Sequence, residues 1–168
     1  IIEPNPAAKI KFKKTLSKVK FSKINFYKNA NDFQNSKIIP KLTILAIKPQ
    51  HLKNFYIEIK NKNYIWIKKT NFLSIIAGAK IQTLKTVTKN PKIMRAMPNT
   101  PAFIGKSLTG LYFPKNIPIN LKKLTQKILS QIGKIVILKN EKQFDSITAI
   151  SGSGPAYFYK FIEIFENS

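Results

Sequence analysis

The chain has 168 residues, with 30 lysines and arginines against 7 carboxylates and a formal net charge of +23 at pH 7. That length suits one domain or one and a half, and a hydrophobic fraction of 43% excludes a fully disordered polyelectrolyte. The longest apolar runs, such as Ile135-Val136-Ile137-Leu138, are strand-sized and far short of the roughly 20 residues that cross a bilayer. With no cysteine and a single histidine, His51, neither a disulfide framework nor a metal site is expected. The opening Ile1-Ile2-Glu3-Pro4 lacks the basic flank and apolar block of a secretory signal. A soluble, cytoplasmic protein without membrane contact is the expectation.

The charge raises the question of nucleic acid. Every basic residue except Arg95 is lysine, and isoleucine and asparagine are over-used with it. Those residues share A/T-rich codons, so mutational bias accounts for the composition. Nucleic-acid readers exploit arginine for bidentate contacts and gather charge into a patch, whereas here lysine is spread along the chain. The densest stretch runs from Lys9 to Lys23, and inside it Phe12, Leu16 and Val19 fall on one helix face. That pattern predicts a docked helix with a solvated basic side, and no nucleic-acid partner is expected.

In chain order, the stub Ile1-Ile2 is closed by Glu3-Pro4-Asn5-Pro6, and the lysine-rich helix follows. Ile24 to Tyr27 reads as a short strand and Asn31-Asp32 as the start of a short helix. Leu42 to Ile47 is an apolar run stopped by Lys48-Pro49, the pattern of a parallel strand buried on both faces. A helix is expected around His51 to Ile59, with the stretch near Trp66 ambiguous. Phe72 to Ile76 is a second run, ended by Ala77-Gly78. Ile81, Leu84 and Val87 mark a helix ended by Asn90-Pro91, and Ile93 to Met97 is a third run, stopped by Pro98-Asn99-Thr100-Pro101. Three such runs separated by helix-length segments predict parallel strands with crossover helices. Ligands bind beyond the carboxyl ends of such strands, so the three following loops should line one edge.

Further along, Leu108 to Phe113 and Lys134 to Leu138 read as strands. Between them a helix is expected from about Ile119 to Ile132, with Leu121, Leu124, Ile128 and Ile132 on one face and Gly133 as its terminating glycine. From Phe144 the pattern is helical, broken at Ser151-Gly152-Ser153-Gly154-Pro155, where a new helix is expected to begin with Pro155 in its first turn. Free N–H groups there would admit an anionic ligand or a close backbone. The polar stretch Lys139 to Gln143 suggests a domain boundary near 140 to 145.

Two motifs stand out, Met97-Pro98-Asn99-Thr100-Pro101-Ala102 and Ser151-Gly152-Ser153-Gly154-Pro155-Ala156-Tyr157. Their order and spacing, with Ile47-Lys48-Pro49, Ala77-Gly78 and the lead-in Asp145 to Ile150, closely resemble the pyrroline-5-carboxylate reductase family over nearly the whole chain. The resemblance implies an NAD(P)H-dependent reduction of the cyclic imine 1-pyrroline-5-carboxylate to L-proline, the last step of proline biosynthesis. It implies an α/β fold, an incomplete Rossmann-like parallel sheet with crossover helices over residues 1–140. The start of an all-helical dimerisation domain would follow over 144–168. It also implies cofactor contacts from Asn29, Ala46, Ile47, Lys48, Pro49, Ala77, Gly78, Met97, Asn99 and Thr100, and substrate contacts from Ser151, Gly152, Ser153 and Gly154. No catalytic side chain is assigned. His51, Glu163 and Glu166 read as surface groups.

Departures from the family pattern shape the expectation. None of the six glycines forms a Gly-x-Gly-x-x-Gly turn, the device that holds a dinucleotide's diphosphate. Ile1-Ile2 resembles the family's second strand, so a first βα unit is expected to be missing, as are the dimer helices after the segment containing Tyr157. Ser107 stands where the family commonly has glycine. Glu3 lies at a strand end, where a carboxylate favours ribose hydroxyls over a 2′-phosphate, so NADPH is the expected cofactor with NADH as the alternative. The isolated chain is therefore expected to be inactive and marginally stable, a fragment of a homo-oligomeric enzyme. A decayed non-catalytic remnant and a basic nucleic-acid- or partner-binding module are the alternatives.

Overall fold

Apolar runs alternating with helix-length polar segments build a sheet covered on both faces. The computed structural model describes residues 1–16 and 24–166. Its sheet has five strands in sequence order: β1 (Thr43–Leu45), β2 (Phe72–Ser74), β3 (Ile93–Met97), β4 (Ser107–Tyr112) and β5 (Gly133–Ile137). Strands β1, β2 and β3 are parallel, in the register Leu45–Ser74–Arg95. Strand β4 is antiparallel to β3 and parallel to β5. The short link from Met97 to Ser107 carries a 3₁₀ stretch, Thr100–Ile104, and is too brief for a crossover, so the sheet is mixed where the sequence pattern suggested parallel pairing.

The helices are α1 (Pro6–Leu16), α2 (Ala30–Asn35), α3 (Leu52–Ile59), α4 (Ile65–Lys69), α5 (Ile81–Thr88), α6 (Ile119–Leu129), α7 (Gln143–Ile147) and α8 (Gly154–Glu166). Alternate strand residues point to opposite faces. On one face Leu45, Phe72 and Ile93 pack with Ile59, Trp66 and Leu84 from α3, α4 and α5. On the other Leu73, Met94, Ala96 and Leu111 pack with Leu121 and Leu129 of α6. Asn90 fastens the first layer below β3, its amide donating to the carbonyls of Ile67 (2.7 Å) and Thr70 (2.9 Å). No helix among the described residues is long and apolar enough to cross a membrane.

Several local expectations change. Ile24 to Tyr27 is no strand: Tyr27 makes a single parallel bridge to Ile2, its N–H donating to the Ile1 carbonyl at 2.8 Å. Helix α2 starts at Ala30 because the Asn29 side chain caps it, accepting from the Asp32 N–H at 2.8 Å. Strand β1 is shorter than its apolar run and borders the sheet, which leaves Ile44 45% exposed rather than buried on both sides. Helix α1 ends at Leu16, with Phe12 42% exposed and edge-on to Phe26; Val19 lies outside the described residues.

Helix α6 closes in a 3₁₀ turn, Ser130–Ile132. Its buried face is Leu121, Thr125 and Leu129, while Leu124 and Ile128 are partly exposed; the face turned by one residue because buried Thr125 points its hydroxyl at Met94. Gly133 does have positive φ, +141°, but its role is close approach rather than helix termination. As the first residue of β5 it pairs with Ser107, and a Cβ there would overlap the Ser107 backbone.

Two glycine substitutions separate these effects. Gly133→Ala must displace one strand from its neighbour and should cost on the order of 3 kcal/mol or more. Gly78→Ala meets open space and suffers only its φ of +71°, about 1 kcal/mol. Urea midpoints of the two variants measure the difference; similar small shifts would show that β4 and β5 can separate.

Candidate active site at the strand ends

The register of β1, β2 and β3 brings three loops to one edge of the sheet. Ala46, Ile47, Lys48 and Pro49 follow β1, Ala77 and Gly78 follow β2, and Asn99 and Thr100 follow β3, which ends at Met97. The Ile75 N–H donates to the Leu45 carbonyl at 3.0 Å, carrying the pairing to the rim. Ala46, Lys48, Pro49, Ala77, Gly78 and Thr100 are exposed, and Ile47, Met97 and Asn99 are half-buried. Gly78 has φ +71° with no atom within 4 Å of where a Cβ would stand, so backbone faces free space there. Lys48 and Pro49 enter a 3₁₀ turn, Pro49–His51, before α3. Asn29 stands apart from these loops in the hydrogen bonding, its amide oxygen taken by Asp32.

The proline loop is clamped to β4. The Asn99 side-chain oxygen accepts from the Leu108 N–H at 3.0 Å, and the Asn99 N–H donates to the Ser107 hydroxyl at 3.2 Å. Ser107 in turn hydrogen-bonds the Thr109 hydroxyl at 2.9 Å, and both are buried. Two prolines fix φ on either side, and the asparagine locks the intervening turn. Serine at 107, where glycine was anticipated, is thus part of the clamp.

The Ser151–Gly154 motif is not a helix start. Residues Thr148–Ser153 form a π-helical stretch that joins α7 to α8 without interruption. Pro155 lacks the N–H for the usual helical bond and its ring would collide with the carbonyl four residues back; the wider π turn ahead of it relieves both problems. Those backbone N–H groups therefore do not form the open helix N-terminus that the sequence suggested. The stretch is carried toward the sheet by Ile147, whose side chain would lie 3.3 Å from a Cβ on Gly110. Gly110 pairs with Met97, so the lead-in to the second motif sits one strand from the first.

Residues that the sequence reading passed over complete the arrangement. Arg95 in β3 is buried and pairs with Glu141 at 3.0 Å. The same carboxylate oxygen accepts from the Ile81 N–H at 2.7 Å, capping α5. The available signal was Arg95 itself, the single arginine among so many lysines. His51 is exposed, and Glu163 pairs with Lys160 at 3.0 Å on the surface. No group of residues suited to hold a metal occurs among the described residues.

A separate cavity of about 300 Å³ lies at the opposite edge, lined in part by Lys60, Lys62, Tyr64, Lys68, Thr88 and Lys89. Lys60 and Lys89 are the C-terminal caps of α3 and α5, where cations complement the helix dipoles. Burial pushes the Tyr64 phenol above its ordinary range, and nearby Glu58 adds to the effect.

A family model described as pyrroline-5-carboxylate reductase dimerisation matches residues 141–168. A pyrroline-5-carboxylate reductase of Haemophilus influenzae is 33% identical over 134 residues, 79% of this chain and 48% of that protein. The chain spans about half the length of the curated relatives it matches. Among solved structures, 1-pyrroline-5-carboxylate reductase of Streptococcus pyogenes superposes with a TM-score of 0.72 at 27% identity, covering 95% of this chain and 56% of that one. Plasmodium falciparum pyrroline carboxylate reductase, solved with NADP bound, gives 0.66 at 28% identity over 86% of this chain and 53% of its own.

The clamp can be tested by itself. Asn99→Ala leaves the Leu108 N–H without its acceptor and should cost about 1–3 kcal/mol, whereas Thr100→Ala at the exposed neighbouring position should stay within about 0.5 kcal/mol. Equal urea midpoints for the two would mean that the loop is not held by Asn99. Across most of its length in sequence, and in fold, this chain is a relative of the pyrroline-5-carboxylate reductases.

Proposed function

We propose that this chain carries the nicotinamide-facing half of a cytoplasmic, NAD(P)H-dependent pyrroline-5-carboxylate reductase. The reading is supported above all by the convergence of Ala46 to Pro49, Ala77-Gly78 and Met97 to Thr100 on one sheet edge, in a chain related to enzymes of that name. In this reading residues 1–140 form the dinucleotide-binding part and 144–168 begin a helical part that pairs with a second copy. The exposed Tyr157, Phe161 and Phe165 on α8 and the dimerisation match support the latter.

The residues present suit one end of the cofactor. Open space before Gly78 lets a flat ring approach backbone, and exposed Ala46 and Lys48 offer main-chain groups and a cation to a ribose and its phosphate. NADPH is the favoured cofactor, as in the NADP-bound relative, with NADH as the alternative because Glu3 stands at a strand end. The 168 residues supply no Gly-x-Gly-x-x-Gly turn for the diphosphate. When bound, the reduced nicotinamide supplies the hydride for the imine carbon. The chain's own part is then orientation and exclusion of water: Asn99 and the flanking prolines hold one wall still, and Ser151 to Gly154 border the imine.

Grafting residues 1–148 into the corresponding part of the Haemophilus influenzae relative tests the reading. The chimera should oxidise NADPH only when the imine is added, and Ala77→Leu, at an exposed position of the edge, should lower NADPH affinity at least tenfold without unfolding it. A folded chimera that neither binds NADPH nor turns over would overturn the assignment.

A further inference from the structure

We propose that Arg95 is a positioning residue that, through Glu141, fixes the backbone of residues 148–153 over the sheet edge. The inference deepens the reading above, in which that segment borders the imine. Arg95 lies on the β3 face that also carries Ile93, and three anchors tie the following helix to that face. Its guanidinium bonds Glu141 at 3.0 Å and lies 4.3 Å over the ring of Phe144, which is 1% exposed. Three residues on, Ile147 packs against Gly110. Anchors at 141, 144 and 147 lead directly into the π stretch at Thr148.

Glu141 adds a second direction. The oxygen that receives Arg95 also receives the Ile81 N–H, so one carboxylate joins β3, the start of α5 and the lead-in to α7. Ile81 follows closely on Ala77-Gly78, so the loop after β2 and the segment at 148–153 take their positions from the same atom. The side chains doing this are chemically particular. Lysine has a point charge on a flexible stem, whereas guanidinium is planar and can stack on an aromatic ring while bonding in its own plane. In a chain where every other basic residue is lysine, the one arginine occupies the one place where both geometries are used. The fit is not free of cost: the buried Nε of Arg95 has no partner among the described residues.

The single arginine also makes the test specific, because the chain gives one arginine Nε–H signal in nitrogen-15 NMR. In the unaltered chain that signal should be displaced by the Phe144 ring and exchange slowly with water; Phe144→Leu should move it toward the position of free arginine. Arg95→Lys, which keeps the charge, and Glu141→Gln, which keeps the shape, should each speed amide exchange at Ile81 and across 143–153 at least tenfold, with Phe72–Ser74 and α6 little changed. An Arg95→Lys chain identical to the parent would show that any cation suffices. Acceleration spread evenly over all strands would show a general contribution to stability. A fast-exchanging Nε–H at the free-arginine position would show that the anchor does not form. Each of these three results overturns the proposal. Exchange is read without dinucleotide, so it decides on Arg95 whether or not NADPH binds; absence of NADPH-induced shifts at 46–49 and 77–78 would count against the cofactor reading alone.

Discussion

Parallel pairing of β1, β2 and β3 is the constraint from which the other features follow. Parallel neighbours cannot be joined by tight turns, so each connection must cross back over a face of the sheet, and every strand finishes at the same rim. The register Leu45–Ser74–Arg95 therefore collects at one edge three loops that are 50 residues apart along the chain. Nothing in the loops themselves needs to attract the others. Their compositions are then free to serve shape: proline where a wall must be stiff, glycine where backbone must be bare.

The reversal of direction at β4 has a different use. Because β4 returns antiparallel to β3, Gly110 stands beside Met97 near the rim rather than at the far side. A residue without a side chain there leaves a shallow seat on the sheet, and Ile147 occupies it. The helical C-terminal segment thus reaches the rim by lying on the sheet instead of by covalent connection to it. Arg95 and Glu141 hold it from the adjacent strand, and the same carboxylate caps α5. Burying such a pair is worthwhile only with further hydrogen bonds and packing, which Ile81 and Phe144 provide.

Features governed by near neighbours in the chain were legible. The apolar runs ending at Lys48-Pro49, Ala77-Gly78 and Pro98 marked strands and the rim, and Asn29 capped the helix it precedes. Features set by distant partners were not. The sequence of 42–47 could not reveal that β1 borders the sheet and exposes Ile44. Period alone put Leu124 and Ile128 inward, whereas packing on Met94 chose Thr125. Gly133 looked like a helix end because the strand it must touch, at Ser107, lies 26 positions earlier. The Arg95–Glu141 pair spans 46 positions and leaves no periodic trace; only the rarity of arginine hinted at it. At 151–154, rules for isolated turns favoured a break, and the helix widened instead.

That widening has a geometric consequence. A π turn accommodates an extra residue within the helix, and each residue of an α-helix advances the azimuth by about 100°. Excising a single residue between Thr148 and Ser153 would let the stretch tighten to ordinary α geometry, yet would swing everything beyond it round the axis by that angle. Tyr157, Phe161 and Phe165 would then present their stripe to a different quarter, and a mate shaped for the present orientation would find polar residues in its place. The bulge is in this sense an indexing device, setting the azimuth at which the last helix offers its apolar side.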